Sequence, residues 1–250
     1  MNNVERKRIA VVSSPRSGNS WIRSVVAGAL GFQEIAVHNI ADISGALPEK
    51  VFLQIHWYRE PSFQEWLIQN DFQVLCIARH PLDILLSVLH YIRYEPGTSR
   101  WLEGNVAIPE NLKHASPVDN EFLNYALSFG AENLLSVSYQ WWHHPSAIKI
   151  RYEDCVRNPV ENIGSIIEYL GGDTGELAHW LEKLNIEKMK ATHNRHGWQG
   201  RPGLYKSLVP YFTARRIFAK YRYIFNALGY DVAPYFLSRG HATKSWDAMI

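Results

Sequence analysis

Between a β-branched strand, Ile9 to Val12, and a helix carrying Trp21, Ile22, Val25 and Ala29 on one side stands the run Ser13-Ser14-Pro15-Arg16-Ser17-Gly18-Asn19-Ser20-Trp21. Such a turn of Pro, Gly and small hydroxyl residues leaves backbone N–H groups unshielded at a helix N-terminus, where unpaired donors and the helix dipole favour an anion. Arg16 adds a fixed positive charge. Taken alone, the run also reads as a tight strand-to-helix turn with Ser17 as N-cap. It is not a Walker A loop, because Gly-x4-Gly-Lys-Ser/Thr is absent. A nucleoside triphosphate with magnesium is therefore not the first expectation.

A second anion position follows from the strand Val74 to Ala78, which ends in Arg79-His80-Pro81 and leads into a helix carrying Ser87. Arg79 offers a bidentate fork and Ser87 an O–H, a pair suited to clasping phosphate. Anion positions at the carboxyl ends of two parallel strands suggest one ligand with phosphates at separated places.

These residues carry a family resemblance. The loop Pro15 to Trp21, then Arg79 with Ser87, then Arg151-Tyr152-Glu153-Asp154 with Asn158-Pro159, and finally Arg195-x-Gly197-x2-Gly200 resemble the ordered motifs of the PAPS-dependent sulfotransferases. The resemblance spans residues 9 to about 230. It implies a P-loop-NTPase-like sulfotransferase fold and a co-substrate, 3'-phosphoadenosine 5'-phosphosulfate (PAPS), with PAP as product and no metal. It also implies site residues. Ser17, Gly18, Asn19 and Ser20 would line the 5'-phosphosulfate, with Arg16 absorbing charge on the leaving phosphate. Arg79, Ser87, Arg195, His196 and Gly197 would hold the 3'-phosphate. Trp21 would stack on the adenine, Tyr152 would bond its edge, and Ile186 stands where the family often has an aromatic on the other adenine face. His56, after the strand Val51 to Ile55, takes the place of the catalytic histidine, and an imidazole can accept a hydroxyl proton at neutral pH.

The sequence departs from the family pattern at several places. The family often has a lysine two residues before the catalytic histidine, and here that position is Gln54, a neutral donor. Asn19 replaces the commoner Thr. After Gly200 the chain reads Arg201-Pro202-Gly203-Leu204-Tyr205-Lys206, and the family's dimer motif is not recognisable, so the oligomeric state is open.

Composition agrees with one sulfotransferase domain over residues 1–250: the chain is 46% hydrophobic, enough for one sizeable core. A net charge of +2 argues against a nucleic-acid partner held by a global basic field. The two cysteines, Cys76 and Cys155, read as packing residues in a reducing compartment. No apolar run approaches the roughly 18 residues of a membrane span, and no signal segment is evident, so a cytoplasmic location is expected.

The strand-like runs Ile9–Val12, Val51–Ile55, Val74–Ala78 and Ile148–Arg151 alternate with helical segments, which predicts an α/β fold: a central parallel sheet, buried on both faces, flanked by helices. Asn158, Pro159 and Glu161 open a helix that Gly171-Gly172 stops, and Thr213 opens a long helix ending before Gly229. The Pro- and Gly-bearing stretches Glu95–Pro117 and Thr192–Gly203 read as loops, the former as a lid or substrate wall. Among the aromatic residues Trp57, Tyr58, Trp101, Tyr139, Trp141 and Trp142, the two that follow His56 are candidates for touching a small-molecule or glycan acceptor. The other histidines build no zinc spacing. Two rival readings stand beside this one: a P-loop kinase, which should show the Walker lysine, and a non-catalytic nucleotide-binding module, suggested by Gln54.

Overall fold

The structure is a computed structural model and describes residues 7–185, 187–188 and 198–250. Five strands, β1 (Arg8–Val12), β2 (Gln33–Val37), β3 (Val51–Ile55), β4 (Gln73–Ala78) and β5 (Ile148–Arg151), form one parallel sheet in the order β2-β3-β1-β4-β5. Between and after them run α1 (Asn19–Leu30), α2 (Pro61–Gln69), α3 (Pro81–Tyr91), α4 (Asn120–Ala126), α5 (Phe129–Trp142), α6 (Tyr152–Arg157), α7 (Pro159–Tyr169) and α8 (Leu177–Lys183). The α/β architecture expected from the alternating runs, a central parallel sheet flanked by helices, is the one observed.

Side chains alternate across a strand, so each strand feeds two cores. Ile9, Val11, Phe52, Leu75 and Ile77 pack under α1, α7 and α8. Ala10, Val12, Leu53, Ile55, Val74, Cys76 and Ala78 face the opposite layer, which includes α3, α5 and the C-terminal helices. Each buried aliphatic contributes about 1.5–3 kcal/mol, so the three central strands are fixed by burial on both faces. Because all strands are parallel, the loops after β1, β3, β4 and β5 leave from one edge. The chain crosses from β1 through α1 to the β2 side, while β4 lies on the other side of β1, and this change of direction opens a crevice at the strands' carboxyl ends.

Several expectations change. β2 is a strand that the apolar-run reading passes over: Gln33-Glu34-Ile35-Ala36-Val37 is a half-exposed edge, so it lacks the continuous apolar signature. β5 is likewise only partly buried. The helix expected from Thr213 begins at Tyr211 and divides at Tyr221 into Tyr211–Lys220 and Arg222–Leu228; Ile217, Ile224, Phe225 and Leu228 are nonetheless all buried. Asn158 precedes α7 as foreseen, but its amide meets Glu161 Oε2 at 3.3 Å and makes no backbone cap bond. The stretch after Glu95 is organised by short 3-10 turns at Pro96–Gly104 and Glu110–His114, with Trp101 and Leu102 buried. Cys76 and Cys155 are buried free thiols. Among the described residues no helix is long and apolar enough to cross a membrane.

Candidate active site

The loop after β1 turns through two left-handed residues, Arg16 (φ 68°) and Gly18 (φ 94°). Gly18, not Ser17, caps α1, and no side chain caps it. A Cβ at Gly18 would lie 2.4 Å from Tyr152 Cδ2, so both the backbone and the packed ring require glycine there. Arg16 in this conformation costs about 1–2 kcal/mol and is held from outside. Arg79 Nη1 donates to Arg16 O at 2.8 Å, and Arg16 Nε donates to Ser87 Oγ at 3.1 Å. Asn19 Nδ2 donates back to Ser14 O at 2.9 Å, so its amide donor stitches the loop. Ser17 Oγ, Asn19 Oδ1 and Arg79 Nε are buried with no partner among the described residues, and a polar ligand beside Asn19 and Arg79 would complete the latter two.

Strand register sets the neighbours. Val12 pairs with Ile55, which brings Ser13 beside His56, and His56 Nδ1 lies 2.8 Å from Ser13 O. A carbonyl can only accept, so Nδ1 carries the proton and Nε2 keeps its lone pair. Burial, with smaller contributions from His38, Arg16 and Arg23, pushes the His56 pKa down to about 4, and the ring is neutral at pH 7. Likewise Ala78 pairs with Arg151, which brings Arg79 beside Tyr152; the guanidinium sits 4.6 Å from the ring centroid. Tyr152 meets Trp21 edge-on at 6.1 Å and donates its hydroxyl to Gly200 O at 2.7 Å.

A cavity of about 740 Å³ joins these groups. Arg16, Gly18, Asn19, Ser20, Trp21, His56, Arg79, Ser87 and Tyr152 all line it, so the structure gathers residues widely separated in sequence onto one crevice. The Arg16 pKa is lowered by burial to about 10, which leaves a cation at neutral pH.

A family model described as the sulfotransferase domain matches residues 6–197. The chain belongs to the sulfotransferase family. This sulfotransferase-family protein is similar in structure to mouse sulfotransferase SULT7A1 complexed with PAP, with a TM-score of 0.68, 19% identity, and 90% of this chain and 86% of that one covered. It is also similar to retinol dehydratase in complex with retinol and PAP, with a TM-score of 0.62, 15% identity, and 93% and 84% covered. Identities this low speak to the fold. No curated protein gives a significant match.

The family-placed residues Arg195, His196, Gly197 and Ile186 lie outside the described residues. Ser17 is buried beneath the loop and is not among the residues lining the cavity. Trp57 and Tyr58 are also absent from the lining: Trp57 Nε1 bonds Glu60 and its carbonyl accepts from Trp141, so this pair packs away from the site. The aromatic wall is instead Tyr91, Trp101 and Trp198. Trp101 stacks on Tyr91 at 5.8 Å and meets His56 edge-on at 6.4 Å, and Tyr91 lies under the Arg16 guanidinium at 4.1 Å. Tyr91 stands four residues after Ser87 on α3, so helical spacing was a usable signal for it. Arg23, Ala36, Val37 and His38 also line the site, and the last three became visible only with β2 in place.

Proposed function

We propose that this sulfotransferase-family transferase moves the sulfuryl group of PAPS to a hydroxyl (or amine) of a small-molecule acceptor, with His56 as general base. One observation carries the reading: a strand-to-helix loop at the start of α1, the guanidinium groups of Arg16 and Arg79, and a neutral histidine whose Nδ1 is tied to the backbone converge on one cavity. Its volume, about 740 Å³, falls within the range of small-ligand sites, roughly 300–1,000 Å³.

The loop at the N-terminus of α1, with Arg16, fits an anion, and Arg79, whose Nε donor is buried without a partner, fits a second one with Ser87. PAPS supplies the activated sulfuryl group when bound. His56 Nε2 takes the acceptor proton as the acceptor oxygen attacks, while Arg16, which spans the loop and Ser87, stabilises the charge left on the phosphate side. The transition state of such a transfer is loose by analogy with phosphoryl transfer, so positioning and fixed charge do most of the catalysis. Trp21 and Tyr152 border the adenine region. Tyr91, Trp101, Val37 and Ala36 form the wall near His56, which suits a hydroxyl carried on an apolar or aromatic body.

Incubation with sulfur-labelled PAPS and a panel of phenols, alcohols and amines, read by mass, is expected to give sulfated products that His56→Ala abolishes. Retained PAP binding with no product from any acceptor or cell extract would instead favour a binding module. Stabilisation by ATP with magnesium beyond that by PAP would favour a kinase.

A further inference from the structure

Gln54 on β3 and His56, the residue just after that strand, are separated by Ile55 alone, so their side chains leave on the same side and approach each other. Ser20 and Arg23, three apart on α1, come down onto that side. Arg23 Nη1 donates to Gln54 Oε1 at 2.8 Å, and Ser20 Oγ reaches the same oxygen at 3.4 Å. Arginine has donors only, so the atom it meets must be the amide oxygen. The amide nitrogen is thereby turned to the other side, where it stands 3.5 Å from His56 Nε2. Arg23 is itself held: Nε donates to Glu34 Oε2 at 2.7 Å, and Ser24 Oγ donates to the same oxygen at 2.6 Å. Glu34 sits on β2, and Ala36, two residues on, pairs with Gln54 in the parallel ladder, so the anchor belongs to the same sheet. Arg23, Gln54 and His56 all line the cavity.

We propose that Arg23, anchored by Glu34, is a positioning residue that fixes the Gln54 amide with its N–H donors facing His56 Nε2 and the reacting end of the cavity. The inference rests on the function proposed above. An unanchored glutamine would present oxygen or nitrogen to the imidazole with similar ease, and an oxygen there would favour the imidazolium, which cannot act as a base. The guanidinium removes that choice, and by polarising the amide it makes the N–H groups better donors to an oxygen gathering charge. A neutral residue beside the base thus acquires part of the cation's effect, although the cation is carried on a different element.

The test uses Arg23→Met, Gln54→Met, their double variant, and Arg23→Lys. Arg23→Met is expected to lower kcat at least 10-fold while the PAP dissociation constant, from calorimetry, stays within twofold. The double variant should be no slower than Gln54→Met alone, and Arg23→Lys should recover most of the loss. A second readout needs no turnover: ¹⁵N NMR of labelled histidine, with His56 assigned by His56→Gln. The charged groups facing the ring are Arg16 and Arg23, beside the titratable His38, and losing Arg23 with its hold on the amide should let His56 begin to protonate at higher pH than in the parent protein. An Arg23→Met protein with unchanged kcat and unchanged His56 titration overturns the proposal, as does a loss that adds in full to that of Gln54→Met. Absence of PAP binding by the parent protein would overturn the functional reading instead, and the NMR result would still decide the role of Arg23.

Discussion

His56 and His80 follow the two parallel strands that flank β1, β3 and β4, and both are buried with pKa values pushed down to about 4, chiefly by burial. Their surroundings nevertheless differ. His80 lies flat against Tyr205 at 4.1 Å, donates through Nε2 to Asp231 O at 3.0 Å, and has its other ring nitrogen sealed from solvent without a partner. Its backbone N–H meets Glu153, which also takes the Tyr230 hydroxyl, so the residue pins β4 to the C-terminal segment. His56 uses Nδ1 to hold its tautomer and turns Nε2 toward the cavity. Burial and a depressed pKa are therefore common to a candidate base and a structural ring, and access to the second nitrogen separates them.

The largest effect that could break this contrast is on turnover. His56→Ala is expected to lower kcat by about 10²–10⁴-fold with PAP affinity nearly unchanged. His80→Ala should leave turnover per folded molecule intact and lower stability by roughly 2–3 kcal/mol, measured by denaturant unfolding. Equal kinetic losses at both positions would erase the distinction.

Arg79→Ala comes next. It removes a guanidinium that braces the strained Arg16 carbonyl and faces the cavity, and should weaken PAP binding by about 10²-fold in calorimetry.

The two rings also predict a pH signature. As pH falls through 6.5 the unfolded chain protonates both histidines while the folded chain does not until near 4, so stability present above pH 6.5 is lost across that window, by at most about 3 kcal/mol for each ring. Asp83, whose pKa burial raises above 3.8, works in the opposite sense, because the folded chain takes up its proton before the unfolded chain does as pH falls. Thermal melts from pH 7 to 4.5 should therefore show falling midpoints, and His80→Gln should flatten the slope; a flat profile in the parent protein would contradict the buried neutral state.

The smallest effect sharpens the acceptor wall. Trp101→Ala should raise the acceptor KM several-fold through lost aromatic contact, whereas Trp57→Ala should leave it within twofold.

Much of the candidate site's lining was legible because the residues involved sit in short local runs. The loop around Gly18, Arg79 with Ser87, and His56 at a strand end all combine a strong apolar strand with a residue type of narrow use. What escaped depends on tertiary placement. Glu34 and Ala36 lie on an edge strand whose half-exposed pattern does not stand out, and with it went the anchor of Arg23 and one wall of the cavity. Trp57 and Tyr58 were attractive by sequence adjacency to His56, yet the chain turns them toward Glu60 and the core beneath Trp141. Asp83 gave no signal beyond its position in a helix, although it accepts from Gly203 N at 2.6 Å and Tyr205 N at 2.9 Å and so fastens the segment bearing Gly200 over the site. Adjacency in sequence predicted contact poorly, and strand register predicted it well: Ser13 with His56 and Arg79 with Tyr152 both follow from one pairing each.

The central claim is that one adenosine ligand is held through two separate anion positions in the crevice. The most direct measurement is calorimetric titration with PAP, 5'-AMP and 3'-AMP under identical salt. PAP is expected to bind at least about 10²-fold more tightly than either monophosphate, an advantage that Arg79→Ala largely removes. Equal affinities for all three nucleotides, or no heat with PAP, would contradict it.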